Sequence, residues 1–327
     1  NSIIFRRLRV VMVHVAILDD YTNAALTSTD WDILPDGYKI TVFNDNLVET
    51  GALAQRLANF DIVCVMRERT PFPSEVFDAL PNLKLFVTTG MRNAAVDVAA
   101  ANKNGVIVCG TSGSGMSTPE HTWALLQACA RNIVHDTTMM REGRWQTKLG
   151  IELYGKTLGL LGLGKIGSRV AEYGKAFGMD IIAWSQNLSQ DRCDECGVHL
   201  VSKQELFTRS DFLSIHLVLS NRTRRLVGAE EMALMKSEAF LINTSRGPIV
   251  DEVALLEKLK GKRIKGAGID VFGVEPLPVE SEFRKLDNVI LTPHTGYFTE
   301  KSYQIFHDQM VENILAWHNG EPTRQLT

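Results

Sequence analysis

Four short segments of this 327-residue chain gather the residue types that can do chemistry. The first is Gly162-Leu163-Gly164-Lys165-Ile166-Gly167, a G-x-G-x-x-G turn that follows the apolar run Thr157 to Leu161. Placed between a strand and a helix, such a turn binds a dinucleotide. Gly162 permits the tight turn, Gly164 lets backbone approach a pyrophosphate, and Gly167 lets the helix pack closely on the strand. The N–H groups of the helix start, from Lys165 and Ile166 onward, then meet the phosphate charge. The other three segments are Asn243-Thr244-Ser245-Arg246-Gly247, the run Gly266 to Phe272 (with Asp270) leading to Glu275-Pro276, and Leu291-Thr292-Pro293-His294-Thr295-Gly296. Each sets polar residues just past the C-terminal end of an expected strand, where open α/β sheets bind ligands. An always-charged planar fork, a carboxylate and an imidazole are materials for anion binding and proton transfer.

Short apolar runs with helical stretches between them must position these groups. In the first third, strands are expected at 10–18, 39–43, 62–66, 83–87 and 106–109, with helices such as 49–59 and 74–80. This alternation reads as a parallel sheet built from βα units. The Gly/Ser-rich loop 110–115 then interrupts the series, and Pro119-Glu120 opens a long helical segment running to about 142. Pro suits the first turn of a helix and Glu its positive end. A domain boundary is placed here. A second series has strands at 157–161, 180–184, 212–215, 239–243, 266–269 and 289–291, with helices notably at 165–177 and 252–259. It suits a doubly wound dinucleotide-binding sheet, and a final helix at 300–318 follows it.

The end of the second strand of that sheet bears on the cofactor. An acidic residue there would bond the adenine ribose and favour NAD. The chain reads Trp184-Ser185-Gln186-Asn187 instead. Without a carboxylate to repel a ribose phosphate, NADP is at least as well accommodated as NAD. Arg192 is near in sequence.

In this order the four segments resemble the D-isomer-specific 2-hydroxyacid dehydrogenase family, over nearly the whole chain. The resemblance implies hydride transfer between a nicotinamide cofactor and a small D-2-hydroxy acid or 2-keto acid. Arg246 would hold the substrate carboxylate and keto oxygen, for which a bidentate fork is suited. His294 would be the acid in reduction and the base in oxidation. Glu275 would orient the imidazole and favour its charged form. Asp270 resembles the family's contact to the nicotinamide side, and His216, Thr244 and Gly296 fall in segments lining the same cleft. Thr89-Gly90-Met91-Arg92-Asn93 resembles the loop whose N–H groups bind the substrate carboxylate, with Arg67 as an assistant. The implied architecture is two Rossmann-like parallel-sheet α/β domains. A cofactor domain (114–296) is inserted into a substrate domain (1–113 and 297–327), and the helix after Pro119 is a homodimer contact. The chain departs from the family at Val218, where Pro is common, and at Tyr297-Phe298, where small residues are common. Glu275 argues against the formate dehydrogenase branch, which pairs its histidine with glutamine.

Bulk properties narrow the function classes. A formal net charge of −3 with scattered Lys and Arg gives no footprint for nucleic acid. No apolar run reaches membrane-span length. Arg6, Arg7 and Arg9 precede an apolar run as in a signal peptide, but that run ends in Asp19-Asp20-Tyr21, so a first strand is expected. Cys64, Cys109 and Cys129 read as buried thiols. Cys193 and Cys196 have metal spacing without a second ligand pair, so no metal is expected. A reducing cytoplasm fits this usage. The histidines outside the motifs, His121 among them, read as structural or solvated. A nucleotide-sensing binding protein on the same scaffold, like the related corepressors, is the alternative to an enzyme.

Overall fold

The structure, a computed structural model, describes residues 12–327. Arg6, Arg7, Arg9 and the first two residues of the strand expected at 10–18 lie outside the described residues. Elements in chain order are β1 (Val13–Ile17), β2 (Tyr38–Val42), α1 (Thr50–Leu57), β3 (Ile62–Val65), α2 (Ser74–Asp78), β4 (Leu85–Thr88), α3 (Val98–Lys103) and β5 (Ile107–Gly110). Then follow α4 (Ser117–Ala130), α5 (Ile133–Arg141), β6 (Thr157–Leu161), α6 (Lys165–Ala176), β7 (Asp180–Trp184), α7 (Gln190–Cys196), β8 (His199–Leu200), α8 (Lys203–Arg209) and β9 (Phe212–Ile215). The chain closes with α9 (Ala229–Leu234), β10 (Phe240–Asn243), α10 (Glu252–Lys260), β11 (Gly266–Ile269), β12 (Val289–Leu291) and α11 (Glu300–His318). They form two compact units, one of residues up to Ser114 together with Thr299–Thr327, the other of Gly115–Phe298.

The first unit is a five-stranded parallel sheet in the order β2-β1-β3-β4-β5. Its central strands are apolar on both faces because helices cover both. Period-2 alternation sends Ala16, Val63 and Phe86 to one core layer and Val15, Ile17, Cys64 and Val87 to the other. Met310, Val311 and Ile314 of α11 complete the second layer, which is how the last helix belongs to the first sheet. Each buried Val, Ile, Met or Phe among these contributes about 1.5–3 kcal/mol of transfer free energy. Glu49 and Asp97 start α1 and α3 by accepting from first-turn N–H groups.

The second unit is a seven-stranded parallel sheet in the order β12-β11-β10-β9-β6-β7-β8. Ile182, Leu213 and Leu241 face one layer, while Ile181, Phe212, Phe240 and Ile242 face the other. The strand β8 is an addition to the six expected from the sequence. Its two residues are too few to show a period. The helix expected to run on to about residue 142 is two helices. Asn132 sits at φ 52, a left-handed conformation no right-handed helix can carry, and Asn is among the few residues that tolerate it. No residue of α5 is buried.

All five cysteines are free thiols. Cys64, Cys109, Cys129 and Cys193 are buried and Cys196 partly so. Among the described residues no group of three metal-ligating side chains occurs, and no helix is long and apolar enough to cross a membrane.

Candidate active site

The four segments singled out from the sequence converge on one edge of the second sheet, at the C-terminal ends of β12, β11, β10 and β6, with His216 just beyond β9 and Ser185 just beyond β7. At the glycine turn, two glycines are demanded by the chain itself. Gly162 has φ +106, and a Cβ there would lie 2.7 Å from the carbonyl oxygen of His216. A Cβ on Gly167 would overlap the carbonyl of Gly162. Gly164 differs, because a Cβ there would meet nothing within 4 Å. Protein packing does not require that glycine, which leaves open space at the start of α6. No side chain caps this helix, so its first-turn N–H groups remain for an anion. A dinucleotide pyrophosphate fits that donor set.

Around the turn, Ser214 Oγ and His216 Nε2 are 2.9 Å apart. Burial pushes His216 down to about 3, so its ring is neutral. The side chain of Val218, where the family commonly has Pro, points to solvent. Ser185 closes a short turn by accepting from Leu188 N. Arg192, distant from the turn in sequence, donates from Nε to the carbonyl of Leu163 at 3.3 Å and pairs with Glu195 at 3.0 Å.

The Arg246 loop is clamped by its own first residue. Asn243, buried at the end of β10, accepts from Ser245 N and donates to the Arg246 carbonyl, both at 3.1 Å. Ser245 Oγ donates to the Leu217 carbonyl, and Thr244 Oγ1 lies 2.6 Å from Thr122 Oγ1 of α4. The guanidinium of Arg246 donates from Nη1 to the Ser245 carbonyl at 2.8 Å. Gly247 runs so close to the Phe272-Gly273 backbone that a Cβ would overlap it, which presses the Arg246 and Glu275 segments together.

Glu275 is held at one oxygen and used at the other. Its Oε1 accepts from Phe272 N at 2.8 Å, and its Oε2 lies 2.6 Å from His294 Nδ1. His294 itself has φ 52 and donates its backbone N–H to the Asp270 carbonyl at 2.8 Å. The aromatic residue after the motif has a definite place. The ring of Tyr297 is buried and packs edge-on to the His294 imidazole, with centroids 5.6 Å apart. Asp270 is fully buried. Its Oδ1 accepts from Thr292 Oγ1 (2.6 Å) and Thr295 N (2.8 Å), its Oδ2 from Gly296 N (2.9 Å), and His121 Nε2 stands 3.2 Å from Oδ1. Burial pushes the carboxyl up, but the bonds from His121, Thr292 and Thr295 N outweigh it and hold Asp270 below the ordinary carboxylate range.

In the first unit, Arg67 and Gly90 are brought together. A Cβ on Gly90, which has φ +89, would overlap the Arg67 guanidinium. Arg67 N donates to Thr89 Oγ1 at 2.8 Å, and Asn93 Nδ2 donates to the Arg67 carbonyl at 2.7 Å. The N–H of Gly90 already donates to Thr111 Oγ1 at 3.1 Å, which leaves the amides of Met91 and Arg92 from the expected anion-binding loop. Both of those side chains are exposed.

Sequence reasoning passed over Asn243 as a clamp and His121 as a partner of Asp270. The Asn-x-x-Arg spacing carries a trace of the first. The second has no local signal beyond its place one turn into α4, which begins at Ser117, two residues before the Pro119 at which the sequence placed its start.

Residues 123–296 match the family described as D-isomer specific 2-hydroxyacid dehydrogenase, NAD binding domain. The chain is 38% identical over 258 residues to a glyoxylate reductase of Korarchaeum cryptofilum, covering 77% of this chain and 78% of that one. It is 39% identical over 273 residues to a D-3-phosphoglycerate dehydrogenase of Methanocaldococcus jannaschii, covering 82% of this chain but only 52% of that longer protein. Among solved structures, the phosphoglycerate oxidoreductase of Vibrio cholerae superposes with a TM-score of 0.89 at 35% identity, covering 94% of this chain and 100% of that one.

Proposed function

This chain belongs to the D-isomer-specific 2-hydroxyacid dehydrogenase family, and from that premise we propose that it reduces a small 2-keto acid to the D-2-hydroxy acid, reversibly. The observation that carries the reading is the 2.6 Å contact between His294 Nδ1 and Glu275 Oε2, at the same sheet edge as the glycine turn. With Nδ1 engaged by a carboxylate, Nε2 is the atom left to exchange a proton with the substrate oxygen. A nicotinamide cofactor, when bound, supplies or accepts the hydride. The glycine turn and the N–H groups of Lys165, Ile166 and Gly167 hold its pyrophosphate, while His216, Thr244, Asp270 and Gly296 shape the remainder of its site. Arg246 binds the carboxylate and polarises the ketone, leaving its Nη1 bond to Ser245 as an anchor. Within the first unit, Arg67 and the loop at Gly90, Met91 and Arg92 carry donors of the kind that bind a carboxylate.

NADP(H) is accommodated as readily as NAD(H). Ser185 offers a hydroxyl where a carboxylate would repel the ribose phosphate, and the Arg192 guanidinium is tethered at the glycine turn. Ser185→Asp is expected to lower the NADP/NAD preference, and an unmoved ratio would displace the ribose site from this position. The working form is a homodimer. The exposed Ile133, Val134, Met140, Trp145 and Leu149 of α5 and the arm after it are apolar surface that a second copy would cover. Free thiols throughout suit a reducing cytoplasm. The test of the activity is the loss of NADH and NADPH absorbance with glyoxylate, hydroxypyruvate, phosphohydroxypyruvate and pyruvate. Turnover of at least one is expected. Binding of either cofactor without turnover of any acid would point to a nucleotide sensor.

A further inference from the structure

Among the histidines that reach the strand ends of the second unit, His121 belongs to no motif of the sequence. His121 projects from α4 and places Nε2 at 3.0 Å from Thr292 Oγ1 and 3.2 Å from Asp270 Oδ1. The direction of these bonds follows from proton count. Thr292 Oγ1 lies 2.6 Å from Asp270 Oδ1, and an ionised carboxylate can only accept, so the hydroxyl gives its single proton there. It can then only accept from His121, whose Nε2 must carry hydrogen.

This relay ends on a carboxylate whose side chain is 1% exposed. Its other partners are the amides of Thr295 and Gly296, the two residues directly after His294, and the Thr295 hydroxyl. The carbonyl of the same aspartate takes the N–H of His294. His294 is held at φ 52, a conformation a non-glycine residue keeps only where its surroundings over-determine it. The donors that fix Asp270 therefore fix the backbone from which the imidazole meets Glu275.

We propose that His121 is a positioning residue for His294, acting by donating from Nε2 to Thr292 and Asp270 so that the loop Thr292 to Gly296 holds the His294 imidazole against Glu275. The proposal rests on the reading of His294 as the proton-transferring group. It assigns to α4 a share in the reaction that its distance in sequence hides.

The test compares His121→Gln, whose amide can still donate, with His121→Leu, which cannot. Three quantities are read: kcat with the best keto acid, KM for the cofactor, and hydrogen exchange at the Thr295 and Gly296 amides. His121→Leu is expected to lower kcat about 10- to 100-fold, the scale of one lost charge-assisted hydrogen bond. It should lower kcat by a larger factor than it raises the cofactor KM, and speed exchange at those two amides relative to the amides of α6. His121→Gln is expected to restore most of kcat and of the exchange protection. An unchanged kcat and exchange in His121→Leu would overturn the proposal, as would a Gln variant no better than the Leu variant. Should His121→Leu fail to fold, Thr292→Val removes the same bridge from its other end. Faster exchange at Thr295 and Gly296 then supports the proposal and unchanged exchange overturns it. The exchange measurement needs no substrate, so a wild-type protein that turns over no keto acid would count against the activity while exchange still decides the role of His121.

Discussion

The second unit sets two imidazole–carboxylate pairs within a few residues of each other, and they differ in what surrounds the carboxylate. In the pair His294–Glu275 the two side chains are 21% and 34% exposed. In the pair His121–Asp270 the imidazole is equally exposed at 21%, but the carboxylate is at 1%. Glu275 spends one oxygen on a single backbone N–H and keeps the other for the imidazole. Asp270 spends both oxygens on the loop and receives His121 as one donor among several. The same two functional groups thus serve opposite ends. A solvated carboxylate with one fixed oxygen can follow the charge of an imidazole during proton transfer. A buried one saturated with donors cannot change state without loosening the backbone it holds.

The largest effect expected from this contrast is at His294. His294→Gln is expected to lower kcat by about 10²–10⁴, the range supplied by a positioned acid–base group, with cofactor affinity retained. Steady-state kinetics beside a cofactor fluorescence titration would show it, and parallel loss of affinity would make the histidine structural. Next is Glu275→Gln, which removes the partner of Nδ1. A fall in kcat of about tenfold or more is expected, with little change in Tm, because the side chain is partly solvated. Asp270→Asn should do the reverse and cost stability first. One oxygen becomes a donor facing other donors, a loss of about 1.5–3 kcal/mol by denaturant unfolding. Equal Tm values for the two variants would erase the distinction between the pairs.

The smallest effect concerns two imidazoles that pair with hydroxyls instead. Burial pushes His307, with Nδ1 2.5 Å from Ser28 Oγ, down to about 4, and His216 down to about 3. The unfolded chain binds a proton at each near the ordinary value of 6.5, whereas the folded chain does not until lower pH. Their contribution is therefore complete above pH 6.5 and is lost as pH falls toward those depressed values. His307→Leu is expected to flatten the acid limb of a Tm–pH curve. A limb of unchanged slope would assign acid loss to other groups.

What was legible in the chain, and what was not, divides along the same physics. The strands β6, β7, β9, β11 and β12 and the helix α11 could be delimited from apolar runs and turn residues because a strand or helix declares its period locally. The two residues of β8 cannot show a period, and the break at Asn132 depends on a single left-handed residue within an otherwise helical stretch. The glycine turn was readable because the positive φ of Gly162 and the contact of Gly167 with the Gly162 carbonyl are both set within one βα unit. The relay from His121 through Thr292 to Asp270 was not. It joins three distant segments by hydrogen bonds, and spacing carries no record of which buried oxygen a remote imidazole will reach. The Gly90 loop shows a milder form of the same limit. The resemblance implied a loop whose backbone N–H groups meet an anion, but the structure gives the Gly90 N–H to Thr111.

The most direct measurement is chiral analysis of the product formed from whichever keto acid turns over fastest with NADPH or NADH. A substrate held in one orientation against the cofactor is expected to yield a single enantiomer, which for a D-isomer-specific family is the D-2-hydroxy acid. An L or racemic product, or no turnover of any 2-keto acid with either cofactor, would contradict the assignment of His294, Glu275 and Arg246 to this reaction.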